Sequence, residues 1–345
     1  SIALITVTWI VSRQIDYMSQ QDLGVDIEQI MTINSPELTN FDSTFIDKMN
    51  TFKTEISKLK GVHSAASSSR APGEGMGRIF QIQKLGENAS DQAFMSNFIN
   101  VDFEYAETYG LEPLAGRFFR KTDHNPSWEA LDKIVITEAA VQMLGFQNNQ
   151  DILNERLSFW DKNWTIVGVM PDFHQRSLHH RIEPIFFIPS YSPGNLLSVR
   201  VSGEEIHETI AQIHKTYDDF FPGNTFTYAF LNEYFQRQYE SDLNFKTILS
   251  YFTLFTILIA CLGLFGLASY TTFLRTKEIG VRKVLGATTT SIVGLLSKDF
   301  LKLVVAALIL SIPIAFLVSG KWLESFAYQI DVPWWLFLVA GIGAV

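Results

Sequence analysis

Three of the seven histidines fall close together: Asp172-Phe173-His174 is followed by His179-His180. Imidazole and carboxylate groups at short spacing are the material of a metal site. A zinc centre, however, requires three or four converging ligands, as on an H-E-x-x-H helix or in a Cys/His finger. Neither spacing occurs here, so the cluster is read as a polar turn and no metal ligand is assigned. Pro72-Gly73-Glu74-Gly75-Met76-Gly77-Arg78 is glycine-rich. It could cradle a phosphate only with a strand before it, a helix after it and a Lys-Ser/Thr pair. No such pair follows, and Ile79–Gln83 alternates like a strand, so the segment is read as a loop. No Gly-x-Ser-x-Gly elbow marks a nucleophile. The acidic residues form no distinguishable acid/base pair and are read as a solvated face. No catalytic residue is assigned. Asn88-Ala89-Ser90 fits a glycosylation acceptor, which matters only in a secretory eukaryotic setting.

A different chemistry, that of docking, is written into Arg275-Thr276-Lys277-Glu278-Ile279-Gly280-Val281-Arg282-Lys283-Val284-Leu285-Gly286-Ala287. Charged and apolar residues alternate so that the stretch can lie as an amphipathic helix at a membrane interface. Ile279, Val281, Val284 and Leu285 would face lipid or a docked protein. Gly280 and Gly286 permit close approach or a bend. Basic residues beside a membrane helix commonly serve as an anionic-lipid anchor, but an anchor needs neither Glu278 nor the glycines.

The elements that must position this stretch follow from hydropathy. The chain has 345 residues, 47% hydrophobic and only 18% charged, with a net charge of −9 and one cysteine, Cys261. This composition excludes disorder, collagen and a disulfide scaffold. Thr247–Leu274 is 28 residues without a charge or a histidine, against about 20 for a membrane helix. Leu303–Gly320 gives 18 more, about 27 Å as helix. Ser1–Ser12 and Val332–Val345 are uncharged but shorter, and are expected to be parts of membrane helices cut by the chain ends. The first has no basic n-region and no small-x-small site, so it is not read as a signal peptide.

Charge orients the spans. Residues 275–302 hold six basic and two acidic residues, whereas residues 13–246 hold 20 basic and 32 acidic ones. A short basic loop between spans faces the cytoplasm, which places 13–246 and 321–331 outside. The cytoplasmic part is too small for a kinase or signalling domain.

The outer region is expected to be α+β. Helical stalks are predicted at its ends, the first over 1–24 with the membrane helix and the second from Leu231 through Tyr234, Phe235, Gln238 and Tyr239 into the next span. Between them, the expected strands are Gln29–Ile33, Val62–Ser68, Ile79–Gln83, Met95–Val101, Leu196–Val201 and Thr225–Phe230. Helices are expected over Ser43–Lys60, Phe103–Tyr109 and Glu204–Phe221. Two β-α-β units indicate a ferredoxin-like subdomain. Residues 112–190, with a strand at Lys133–Ile136, a helix at Glu138–Leu144 and a pair at Arg156–Phe159 and Asn163–Val169, are read as a mostly β insertion. The fold class is thus an α+β extracytoplasmic domain, 25–231, on an α-helical transmembrane bundle. That bundle comprises 232–345 and contains the amphipathic helix 275–290.

The sequence Arg275 to Thr288, RTKEIGVRKVLGAT, resembles the signature of the FtsX-like permeases of ABC transporters, which include macrolide-exporter and lipoprotein-release types. The resemblance extends outward through Asn100-Val101-Asp102, Tyr109-Gly110, Leu114-Ala115-Gly116-Arg117-Phe118-Phe119, Thr137-Glu138-Ala139-Ala140, Leu144-Gly145, Thr165-Ile166-Val167-Gly168-Val169, Asp172-Phe173-His174 and Ser177-Leu178-His179. Asp299 stands where the family often has Glu. The resemblance implies a bacterial inner-membrane, multi-pass permease with a periplasmic core domain, similar to the C-terminal half of duplicated permeases. It implies a separate cytoplasmic ABC ATPase that binds the ATP, so that this chain is not an enzyme and carries no cofactor. A second permease half or homodimer partner and a periplasmic adaptor or substrate are also implied, in contact with lipid and not with nucleic acid. Arg275, Glu278, Ile279, Gly280, Arg282, Lys283, Gly286 and Ala287 are the expected ATPase-coupling residues. A reading of another class is a membrane-anchored sensor or assembly protein without transport.

Overall fold

Alternating apolar residues between Ile30 and Asn34 put Met31 and Ile33 on one face of a strand and Ile30 on the other, and both faces are buried in a computed structural model of the chain. The structure describes residues 2–39, 43–85, 93–190, 196–203 and 205–332. Residues 22–238 form one unit, and the described residues before and after them form a second. Asn88-Ala89-Ser90 lies outside the described residues.

In the first unit, β1 (Ile30–Asn34), α2 (Ser43–Ile56) and β2 (Val62–Ser68) make one β-α-β unit, and β10 (Leu196–Val201), α5 (Ile206–Phe220) and β11 (Tyr228–Phe230) make the other. Their strands lie in the order β11-β1-β10-β2, all antiparallel. This interleaving of two units is the ferredoxin-like arrangement. The two helices cover one face. Phe52 of α2 is fully buried, with its ring 5.8 Å from Tyr217 and 5.5 Å from Phe221 of the α5 end.

The remaining strands are not a separate insertion. β3 (Gly77–Lys84), β4 (Phe94–Val101), β6 (Lys133–Thr137), β7 (Arg156–Phe159), β8 (Lys162–Met170) and β9 (Ile185–Pro189) pair in a closed circuit, β4-β3-β7-β8-β6-β9 and back to β4. All six strands contribute to one apolar cluster, which includes Ile79, Ile136, Trp164 and Phe186, and partly buried Phe98 packs against it. The expected boundary at 112–190 fails because β3 and β4, both earlier in the chain, complete the ring. Closure leaves no free strand edge within it. The short β5 (Ala115–Gly116) pairs with β8, and Ser68 of β2 pairs with Val101 of β4 to join the ring to the ferredoxin-like sheet. The short helices α3 (Tyr105–Thr108) and α4 (Glu138–Met143) follow β4 and β6. α6 (Leu231–Gln238) closes the unit.

The second unit is helical. α1 (Ile2–Gln20) packs against α7 (Glu240–Leu274) and α9 (Thr289–Leu323), with α8 (Thr276–Val284) between the latter two in sequence. The helix expected to run unbroken from Leu231 into the span is interrupted at Tyr239, between α6 and α7. Among the described residues, two helices are long and apolar enough to cross a membrane: Glu240–Leu274 and Val304–Leu323. At 1.5 Å per residue the 35-residue α7 is about 52 Å long, well over a bilayer core. Phe255, Leu262, Phe265 and Phe273 stand exposed along it, as lipid-facing residues do.

Candidate functional site

The amphipathic helix is shorter than its sequence pattern, and its end has a local cause. α8 stops at Val284, and Gly286 follows at φ +90°. The Ala287 N–H donates to the Arg282 carbonyl at 3.0 Å and the Gly286 N–H to the Lys283 carbonyl at 3.2 Å. This pair of reversed bonds is a Schellman cap, and it requires the left-handed residue that glycine supplies. Thr288 then caps α9, its hydroxyl accepting from the Ser291 N–H. Gly286 and Ala287 therefore have a structural task in stopping one helix so that the next can start.

The other candidates lie on α8 or at its start. Arg282 and Glu278 pair at 2.7 Å across one turn. The apolar side chains Val281, Val284 and Leu285 are 61%, 89% and 80% exposed. They fall within about 100° of one another at 100° per residue, whereas Ile279 projects elsewhere and is half-buried. A Cβ built on Gly280 meets nothing within 4 Å. α8 thus offers one apolar ridge, a charged edge and an open glycine.

The other sequence candidates have structural roles. The glycine-rich loop is stitched down. The Gly73 N–H donates to the Gln175 carbonyl at 2.8 Å, Gln175 Nε2 to the Ala71 carbonyl at 2.9 Å, and Gln238 Nε2 to the Gly73 carbonyl at 2.9 Å. A strand, β3, follows it, so the geometry of a phosphate cradle is missing. The Asp172 carboxylate accepts from the Ala139 N–H at 2.8 Å at the start of α4, and burial raises its pKa. His174 is buried, and burial lowers its pKa and favours the neutral ring. Its backbone N–H donates to the Leu23 carbonyl at 2.8 Å. Among the described residues, no three His, Cys, Asp or Glu are grouped to hold a metal.

Sequence reasoning missed two buried charge clusters by reading the acidic residues as a solvated face. Lys53 Nζ from α2 donates to Asp102 Oδ2 at 2.8 Å and to Glu104 Oε2 at 2.9 Å. Burial alone would lower the Lys53 pKa, but the two carboxylates override it and raise the value. Burial, then the Asp102 charge, raises that of Glu104. In the second cluster Asp123, its side chain 1% exposed, accepts from Arg117 at 2.5 Å, Lys133 at 2.8 Å and the Arg120 N–H at 2.8 Å. Burial would raise the Asp123 pKa, but these donors outweigh it and hold the carboxyl well below its ordinary range. The motif segments Asn100-Val101-Asp102 and Arg117-Phe118-Phe119 were the available signal, since they contain one member of each cluster.

The Asp123 cluster sets an acid limb of stability. Its folded-state pKa lies below the unfolded value, so the unfolded chain binds the proton more readily in the interval between them. The contribution is complete above the unfolded value of 3.8 and is lost as pH falls toward the folded one. Asp123→Asn is expected to lower stability by about 1.5–3 kcal/mol at neutral pH and to flatten that limb, as read by unfolding at a series of pH values. An unchanged acid limb would show that Asp123 does not govern it.

The arrangement defines a class: a protein with two long apolar helices, a short exposed amphipathic helix between them and a mixed α/β domain. Residues 236–345 match the family model described as FtsX-like permease C-terminal. No curated protein matches the sequence. Among solved structures, the chain is similar to the periplasmic region of MacB from Actinobacillus actinomycetemcomitans, with 13% identity over 65% of this chain and 98% of that one and a TM-score of 0.44. It is also similar to the extracellular domain of the noncanonic ABC-type transporter YknZ from Gram-positive bacteria, with 12% identity over 59% of this chain and 99% of that one and a TM-score of 0.40.

Proposed function

We propose that the chain is the membrane subunit of a bacterial ABC transporter of the mechanotransmission type. A separate cytoplasmic ABC ATPase docks on α8, and its ATP-driven dimerisation displaces the membrane helices and so changes the conformation of the periplasmic domain. The observation that carries this reading is the family match over 236–345, which brackets an exposed amphipathic helix between two candidate spans. The chain itself performs no covalent chemistry. Arg275, Glu278, Ile279, Gly280, Arg282 and Lys283 form or flank the docking surface, while Gly286 and Ala287 fix its end. A second permease half, or a second copy, completes the subunit pair. The protein resides in the inner membrane with residues 22–238 in the periplasm.

Orientation is the first test. In a Cys261→Ser background, cysteines replace exposed Lys215 and exposed Thr289 one at a time. A membrane-impermeant thiol reagent applied to cells with a permeabilised outer membrane is expected to label the first and spare the second. The reverse pattern would remove α8 from the cytoplasm and the ATPase with it.

A further inference from the structure

Gln14, in the second half of α1, has no exposed surface. Its Nε2 donates to the Tyr328 carbonyl at 2.8 Å, and its Oε1 accepts from the Ile330 N–H at 2.9 Å. One amide side chain thus grips the backbone of the segment beyond α9 at two points, much as a neighbouring strand would. Around the clamp, Ile10 of α1 packs with Leu323 of α9 and with Trp322, Ile330 and Val332. α1 is also tied to α7, through Thr8 and Thr253, whose hydroxyl oxygens lie 2.6 Å apart, and through Asp16 and Lys246 at 2.9 Å.

We propose that Gln14 is the transmission joint of the helical unit, through which a displacement of α9 is delivered to α1. The inference rests on the ATP-driven reading above. α8 joins α9 through only the Leu285-Gly286-Ala287-Thr288 link, so movement of α8 reaches the inner end of α9 directly. α9 runs from Thr289 to Leu323, through Pro313, and leads into the clamped segment. Apolar contacts alone permit sliding, because they are non-directional. Paired hydrogen bonds to the Gln14 amide resist it, since that side chain has no exposed surface and sliding would leave its donor and acceptor unsatisfied away from water. The clamped segment and α1 therefore move as one body, and α1 continues in sequence at Asp22 into the outer unit.

The test is hydrogen exchange on the complete permease with its ATPase in lipid nanodiscs, with and without a non-hydrolysable ATP analogue. The wild type should show a protected Ile330 amide and an ATP-dependent change in exchange over residues 22–34. Gln14→Leu should raise exchange at Ile330 roughly tenfold or more, retain ATPase copurification because α8 is untouched, and lose the ATP response over 22–34. Gln14→Glu keeps the acceptor for Ile330 and loses the donor to Tyr328, so it should fall between the two. It also serves as the readable variant should Gln14→Leu fail to insert. An unprotected Ile330 amide in the wild type, or a full ATP response in a well-inserted Gln14→Leu, would overturn the joint. A wild type that binds its ATPase and shows no ATP response would overturn the transport reading and, with nothing to transmit, the joint as well.

Discussion

Lys53→Met is expected to destabilise the 22–238 unit by about 3–5 kcal/mol, the range for removing one partner of a buried ion pair. The side chain is 11% exposed and that of Asp102 is 9% exposed, so water cannot take over the carboxylate. Methionine preserves most of the volume, and the loss is therefore electrostatic rather than a cavity. After the substitution, Asp102 Oδ2 keeps only the Ser67 N–H, at 2.5 Å, and Glu104 remains beside it. The double variant Lys53→Met/Asp102→Leu removes the most buried pair, leaves Glu104 with a side chain that is 26% exposed to water, and should recover part of the loss, because an apolar replacement of a buried pair is often neutral. Exchange of the β2 and β4 amides in the complete chain reads both. A single variant as protected as the wild type would mean that the cluster is hydrated.

How much of this was legible in the sequence depended on whether a residue's role is local. The ferredoxin-like sheet was readable because its strands alternate and its helices have a clear apolar face, as in Phe45, Met49, Phe52 and Ile56. β9 was not read at all. Ile185–Pro189 is buried at every position, so it has no alternation to display, and a five-residue apolar run resembles a piece of buried helix. Ring closure was equally invisible, since the parallel β4–β9 pairing joins residues almost 90 positions apart. Position 102 looked like any surface aspartate until the fold placed Lys53 against it. At α8, the charge pattern and the two glycines were plain in the sequence. The roles of the glycines were not: Gly286 ends the helix and Gly280 leaves space.

That space makes the second large effect specific. Gly280→Trp is expected to fold and insert normally, because nothing lies within 4 Å of the added Cβ and glycine in a helix interior is about 0.5–1 kcal/mol worse than alanine. The indole would stand where a docked protein must approach closely. Glu278→Arg breaks an exposed pair with Arg282, a change worth only about 0.3–0.5 kcal/mol to the helix itself. It adds a fourth positive charge to α8 beside Lys277, Arg282 and Lys283. Where Glu278 meets a basic groove on a partner, the reversal costs about 2–5 kcal/mol, roughly 30-fold or more in affinity. A lipid anchor behaves oppositely, since the added charge strengthens attachment to anionic lipid.

The most direct measurement is the affinity of the complete protein, inserted in lipid, for the proposed ABC ATPase partner, with the wild type, Gly280→Trp and Glu278→Arg compared at equal insertion. Tight binding by the wild type and a loss of about 30-fold or more in both variants are expected. Binding by both variants as tight as that of the wild type would contradict docking on α8 and favour a membrane-anchored sensor whose basic helix holds only lipid.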